Sequence, residues 1–129
     1  MPQPVIVWFR QDLRLNDNPA FAAAIRSKAP IVPVFIDDTT YGRSAGKVSL
    51  RWRNKSLAAL ANDLRTRGLE MIYREGNGLE TMRALVTETD AAAVFWNRQY
   101  EKDTIARDTE LKSWLKNNNR QGEGHVGNL

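Results

Sequence analysis

Apolar residues along this chain fall into two recurring patterns, short unbroken runs and longer stretches at helical spacing. Val5 to Phe9 is such a run, as expected of a central parallel strand buried on both faces. Asn16, Asp17 and Asn18 can each accept from free helix N–H groups, and Pro19 has the φ favoured at a first helical position, so a helix begins near Pro19. Phe21 and Ile25 lie one turn apart on one face of it. Ile31 to Ile36 predicts a second strand ending at Asp37 and Asp38, although Pro33 cannot donate to a ladder and usually sits at edges or strand starts. Leu50, Leu57, Leu60, Ala61 and Leu64 keep helical spacing up to a stop at Gly68. Leu69 to Arg74 predicts a third strand, Gly76-Asn77-Gly78 a turn, and Leu79, Met82, Leu85 and Val86 a third amphipathic helix. Ala91 to Trp96 predicts a fourth strand. The last helix runs from Glu101 to Lys116 with Leu111, Trp114 and Leu115 on one face; Asp103 and Asp108, each four residues before a cation at Arg107 and Lys112, read as surface support.

From Asn117 to Leu129 the chain is polar and rich in glycine, and no fifth strand is predicted there. Either the domain has four strands, or the chain stops before a piece that completes the sheet. Strands alternating with helices imply an α/β fold, a Rossmann-like open parallel sheet of four to five strands with helices on both faces and its ligand side at the carboxyl ends. The expected division is a domain over residues 1–120 and a flexible or truncated tail over 121–129.

Composition narrows the function classes. The 129 residues suffice for one domain that buries roughly two-thirds of its unfolded surface. No apolar run approaches the ~20 residues that span a bilayer, and the start has no signal-peptide pattern, so no membrane association is expected and the cytoplasm is the expected location. There is no cysteine, which excludes disulfides, thiolate chemistry and cysteine-based zinc sites. The single histidine, His125, lies in the glycine-rich tail. A net charge of +4, from 19 basic and 15 acidic residues, permits an anionic partner without making a nucleic-acid binder. Between Thr39 and Asn62 there is no acidic residue, while Arg43, Lys47, Arg51, Arg53 and Lys55 fall inside that span. Cations therefore gather near a helix start, where the macrodipole disfavours them; a bound anion would offset the conflict, and simple solvation is the alternative.

Four clusters reach the carboxyl ends of the strands: Arg10 to Arg14, Asp37 with Asp38, the basic stretch from Arg43 to Arg51, and Trp96 to Glu101. Asp12 either pairs with an arginine and pins its loop or faces a ligand. Trp96 beside Asn97 and Glu101 suits an aromatic heterocycle with donors and acceptors on its rim, the alternative being that Trp96 and Trp8 are core. No glycine fingerprint follows the first strand, and no Walker loop, nucleophile with base or metal-ligand cluster is present. These features describe a binding domain without chemistry of its own.

Trp8-Phe9-Arg10-Gln11-Asp12-Leu13-Arg14, followed by Asp17-Asn18-Pro19-Ala20, resembles the N-terminal signature of the DNA photolyase and cryptochrome family. The resemblance extends through Val34-Phe35-Ile36, Ser56 to Leu60, Val94 to Glu101 and Ala106-Arg107-Asp108, covering about Val5 to Leu115. It implies an N-terminal α/β domain that carries an antenna chromophore, a methenyl folate, a deazaflavin or a flavin. In such proteins the antenna passes excitation to FAD in a separate helical domain, where electron transfer splits pyrimidine dimers in DNA.

That FAD domain is expected to be absent here and to be the chain's partner, with DNA engaged through the parent protein and no repair by this chain alone. The strand-end clusters single out Arg10, Trp96, Asn97 and Glu101 as chromophore-binding candidates, and the resemblance adds Phe35, Asp37, Lys47 and Arg51 and also points to Glu101. Folate-binding members place an Asn-Glu pair where Asp103-Thr104 stands, and deazaflavin-binding members place acids at the positions of Gln99 and Glu101, so neither pattern is intact. The family's fifth strand would begin near Gln121. Rival readings are a nucleotide-binding domain of similar fold and a basic module for nucleic acid or a partner. A docking surface left bare would also permit self-association.

Overall fold

Val5–Phe9 forms strand β1, and each of its five residues is buried, as a strand covered by helices on both faces requires. The computed structural model describes residues 3–10, 13–38, 47–99 and 102–126, apart from the side chains of residues 38 and 47–54. The elements that follow are α1 (Pro19–Ser27), β2 (Ile31–Asp38), α2 (Lys47–Thr66), β3 (Ile72–Gly76), α3 (Gly78–Thr89), β4 (Ala93–Asn97), α4 (Lys102–Asn117) and β5 (Gln121–His125). All pairings are parallel, and the strand order is β3-β2-β1-β4-β5.

Alternation along the strands feeds two cores. Ile6, Trp8, Val34, Ile36, Val94 and Trp96 face α3 and α4, where Met82, Leu85, Val86, Leu111 and Leu115 meet them. Val5, Val7, Phe9, Ala93 and Phe95 face the other way, onto Ala20, Phe21 and Ala24 of α1 and Leu60 and Leu64 of α2. The Rossmann-like sheet with helices on both faces is therefore as the pattern predicts.

The start of α1 follows the expected chemistry. Asn18 is the N-cap, its Oδ1 accepting from the Phe21 N–H at 3.0 Å, and Pro19 opens the helix. Phe21 is buried, but Ile25, expected on the same apolar face, is 48% exposed, because inward packing on this short helix falls to Ala20, Phe21 and Ala24. Pro33 is accommodated inside β2 because pairing with β3 begins only at Val34 and Ile72, so β2 has no neighbour on that side at residue 33. The third strand starts later than its apolar residues suggest. The Leu69 N–H donates to the Leu64 carbonyl and closes α2, with Gly68 at φ 79°, and Leu69 and Met71 pack against the α1 and α2 core. The predicted turn at 76–78 is the start of α3, capped by Asn77, whose Oδ1 accepts from the Glu80 N–H.

The main correction concerns residues 121–125. No strand is predicted there, yet β5 pairs with β4 from Ala93–Gln121 to Asn97–His125. A β-carbon on Gly122 would lie 2.9 Å from Leu115 Cδ1 and 3.2 Å from the Trp96 ring, and one on Gly124 would lie 2.8 Å from Trp96 Nε1. The two glycines let the Trp96 indole lie against the bare backbone of its neighbour, which is why the strand lacks the residues that mark strands.

Candidate functional site

Strand order reverses between β1 and β4, since β2 and β3 lie on one side of β1 and β4 and β5 on the other. In open parallel sheets the crevice at such a reversal, outside the carboxyl ends, is the usual ligand position. Here the chain's own side chains occupy it. Arg10 follows β1, and its Nη1 donates to Asp108 Oδ1 at 2.6 Å while its Nη2 donates to the carbonyl of Asn97 at the end of β4. Arg107 donates from Nε to the same Asp108 oxygen at 3.4 Å and from Nη2 to Gln99 Oε1 at 3.2 Å. Both guanidinium groups lie against the buried Trp8 ring, at 5.1 Å for Arg10 and 4.7 Å for Arg107.

This cluster is nearly dry: Arg10 and Asp108 are each 8% exposed and Arg107 6%. Two guanidinium groups share one carboxylate, and the low-dielectric surroundings strengthen each charge-assisted hydrogen bond. Asn97 extends the network to α1. Its Oδ1 accepts from the Ala20 N–H at 3.0 Å and its Nδ2 donates to Asn18 Oδ1 at 2.7 Å. The Asn97 amide thereby meets an N–H that the first turn of α1 leaves without an intrahelical partner.

The residues singled out from sequence fall into three places. Arg10 and Asn97 come together at the reversal point, with the polar groups named above turned inward. Phe35 is buried on the α2 side of β2, its ring 5.5 Å from that of Tyr73, and Asp37 follows near the end of the same strand. Trp96 points to the opposite side of the sheet, into the core beneath α4. Lys47 and Arg51 belong to the first turns of α2, whose first turn carries no acidic residue; their side chains, like Glu101 and Asp12, lie outside what the structure describes. Of the described candidates, Phe35 and Trp96 thus lie on opposite sides of the sheet.

Asp108 and Arg107 were expected on the solvent side of α4, and this is corrected: both are buried, and Asp108 pairs with Arg10 and Arg107. The signal for their burial was present. Thr104, Asp108, Leu111 and Leu115 form one stripe at helical spacing, and extending the Leu111–Leu115 face back by one turn reaches Asp108, by two Thr104. No group of three or more histidine, cysteine, aspartate or glutamate residues placed to hold a metal occurs among the described residues, and no helix there is long and apolar enough to cross a membrane.

The model of the DNA photolyase family matches residues 5–129. The chain is 38% identical over 126 residues to a deoxyribodipyrimidine photo-lyase of Agrobacterium fabrum, covering 98% of this chain and 26% of that protein. It is 36% identical over 115 residues to cryptochrome-1 of Arabidopsis thaliana, covering 85% of this chain and 16% of that protein. Among solved structures, a class III photolyase from Agrobacterium tumefaciens superposes with a TM-score of 0.91 at 37% identity, covering 98% of this chain and 26% of that one. The chain thus spans about a quarter or less of the length of these relatives. With the order of the sheet, the matched span and these identities together, the chain belongs to the DNA photolyase and cryptochrome family and corresponds to its N-terminal α/β domain.

Proposed function

We propose that this chain is a light-harvesting domain that holds an antenna chromophore beside the carboxyl ends of β1 and β2 and the start of α2, for transfer of excitation to a flavin in a separate domain of a light-driven DNA repair or signalling protein. The observation that carries this reading is the filled crevice at the reversal point. With that position taken by Arg10, Asp108 and Arg107, a ligand at the strand ends is displaced toward β2 and α2. There the chain offers Asp37 as an acceptor and the start of α2, with no acid in its first turn and with Lys47 and Arg51 in its first two turns. A carboxylate beside cations at a helix N-terminus fits a flat heterocycle with N–H donors on its ring and acidic oxygens at its periphery. When bound, the chromophore supplies light absorption; the chain supplies its position and orientation.

Arg10, Trp96 and Asn97 act in this reading as the frame under the site, and Phe35, Asp37, Lys47, Arg51 and Glu101 as the residues nearest the chromophore. The test is a near-ultraviolet and visible titration of the purified chain with methenyl folate, a deazaflavin and FMN, with AMP as control. The expected outcome is saturable binding of one chromophore, weakened about tenfold or more by Arg51→Ala or Glu101→Gln, since each removes one charge-assisted contact. Binding of AMP as tight as that of every chromophore would replace this reading by nucleotide binding.

A further inference from the structure

A second cleft opens on the other side of the sheet, between α4 and the carboxyl ends of β4 and β5. Its volume is about 420 Å³, within the range of small-molecule sites. Ile105, Asp108, Thr109 and Lys112 line one wall at intervals of three and four residues, and Trp96, Arg98, Gln99 and Gly124 complete it. Two features give it a chemical bias. Arg98 and Lys112 bring two cations to its wall, and no acidic side chain of the described residues pairs with either. Among the described residues of the lining the one carboxylate, Asp108, is turned toward Arg10 and Arg107 and offers little to offset them. The apolar part is equally defined. Ile105 is 47% exposed on one side, and the Trp96 indole forms the floor because Gly124 leaves room for it.

We propose that this cleft is a small-molecule site for an aromatic anion, a flat ring carrying one carboxylate or phosphate. The ring would lie against Ile105 and the edge of Trp96, and the anionic group would meet Arg98 and Lys112, with Gln99 and Thr109 supplying polar contacts. The inference does not rest on the chromophore reading above: the cleft shares none of Phe35, Asp37, Lys47 or Arg51 and faces the other side of the sheet, and Trp96, which it does share, enters it only as the floor.

A matched set of probes separates the contributions: 1-naphthyl phosphate, 1-naphthoate and the uncharged 1-naphthol, each titrated into the isotope-labelled chain and followed by amide chemical shifts. Saturable shifts at Ile105, Thr109, Lys112 and Gly124, without matching shifts at Asp37 and Tyr73, are expected for at least one anion. The stronger of the two identifies phosphate or carboxylate as the preferred group. Lys112→Glu, on an exposed helix position, should weaken that binding about tenfold while leaving the melting temperature unchanged. Absence of saturable shifts with both anions would overturn the proposal, as would 1-naphthol binding as tightly as the anions, or an unaltered affinity in a folded Lys112→Glu chain.

Discussion

Replacing Asp108 by alanine should destabilise the domain far more than replacing any exposed carboxylate. The side chain is buried and accepts from Arg10 at 2.6 Å and Arg107 at 3.4 Å, so its removal takes away the carboxylate that two buried guanidinium groups share. Breaking a buried ion pair from one side costs about 3–5 kcal/mol. Arg10 keeps the Asn97 carbonyl and Arg107 keeps Gln99, which places the expectation at the lower end, about 3 kcal/mol. Against a total stability of about 5–15 kcal/mol this is a large fraction. It corresponds to a loss of about 12 °C in melting temperature for a chain of this size, or about 1.5–2 M in urea midpoint. Tryptophan fluorescence in a urea titration reads the change, with exposed Asp103→Ala as the control expected to cost less than about 1 kcal/mol. Adding Arg10→Met to Asp108→Ala should recover part of the loss, because it removes one of the two buried guanidinium groups that shared the carboxylate. A cost below about 1 kcal/mol for Asp108→Ala, or simple additivity in the double variant, would refute the idea that the cluster is held by shared charge.

Gly124→Ala sets a β-carbon 2.8 Å from Trp96 Nε1 and should cost about 1–3 kcal/mol by overpacking, read as a lower urea midpoint together with a shift in tryptophan emission. Asn18→Ala removes both the cap on the Phe21 N–H and the acceptor for Asn97 Nδ2. It should cost about 1–2 kcal/mol and speed hydrogen exchange at Phe21.

Where a residue's role depends on its near neighbours in sequence, the chain was legible. The apolar run of β1 and the Asn18-Pro19 start of α1 are local statements and appear in the structure as read. β5 was illegible because its identity lies in another strand. Gln121 to His125 carry none of the bulk that marks a strand, and only the size of Trp96, some two dozen residues earlier, explains why glycine is wanted there. Arg107 and Asp108 failed for a related reason. Spacing of four residues makes a surface pair plausible, but the charge that decides their burial is Arg10, just after the first strand. The convergence of the strand ends was foreseen, whereas the side of the sheet on which each candidate emerges was not. Phe35 and Trp96 part company because alternation within their strands sends them to opposite faces.

The Arg10–Asp108 pair joins residues 98 positions apart, and this separation governs when the domain can come together during synthesis. β1 is the central strand and the earliest of the described elements, yet its second neighbour, β4, begins at residue 93, and the Asp108 carboxylate that Arg10 meets arrives only with α4. At about 5–20 residues per second, roughly 5–20 s of synthesis separate Arg10 from Asp108. Over that interval an apolar strand followed by an arginine has one sheet partner at most. Such long-range closure slows folding, because the loop must be closed before the pairing rewards it. The middle of the sheet is therefore completed only once α4 has been made, although its central strand is the earliest of the described elements to be synthesised.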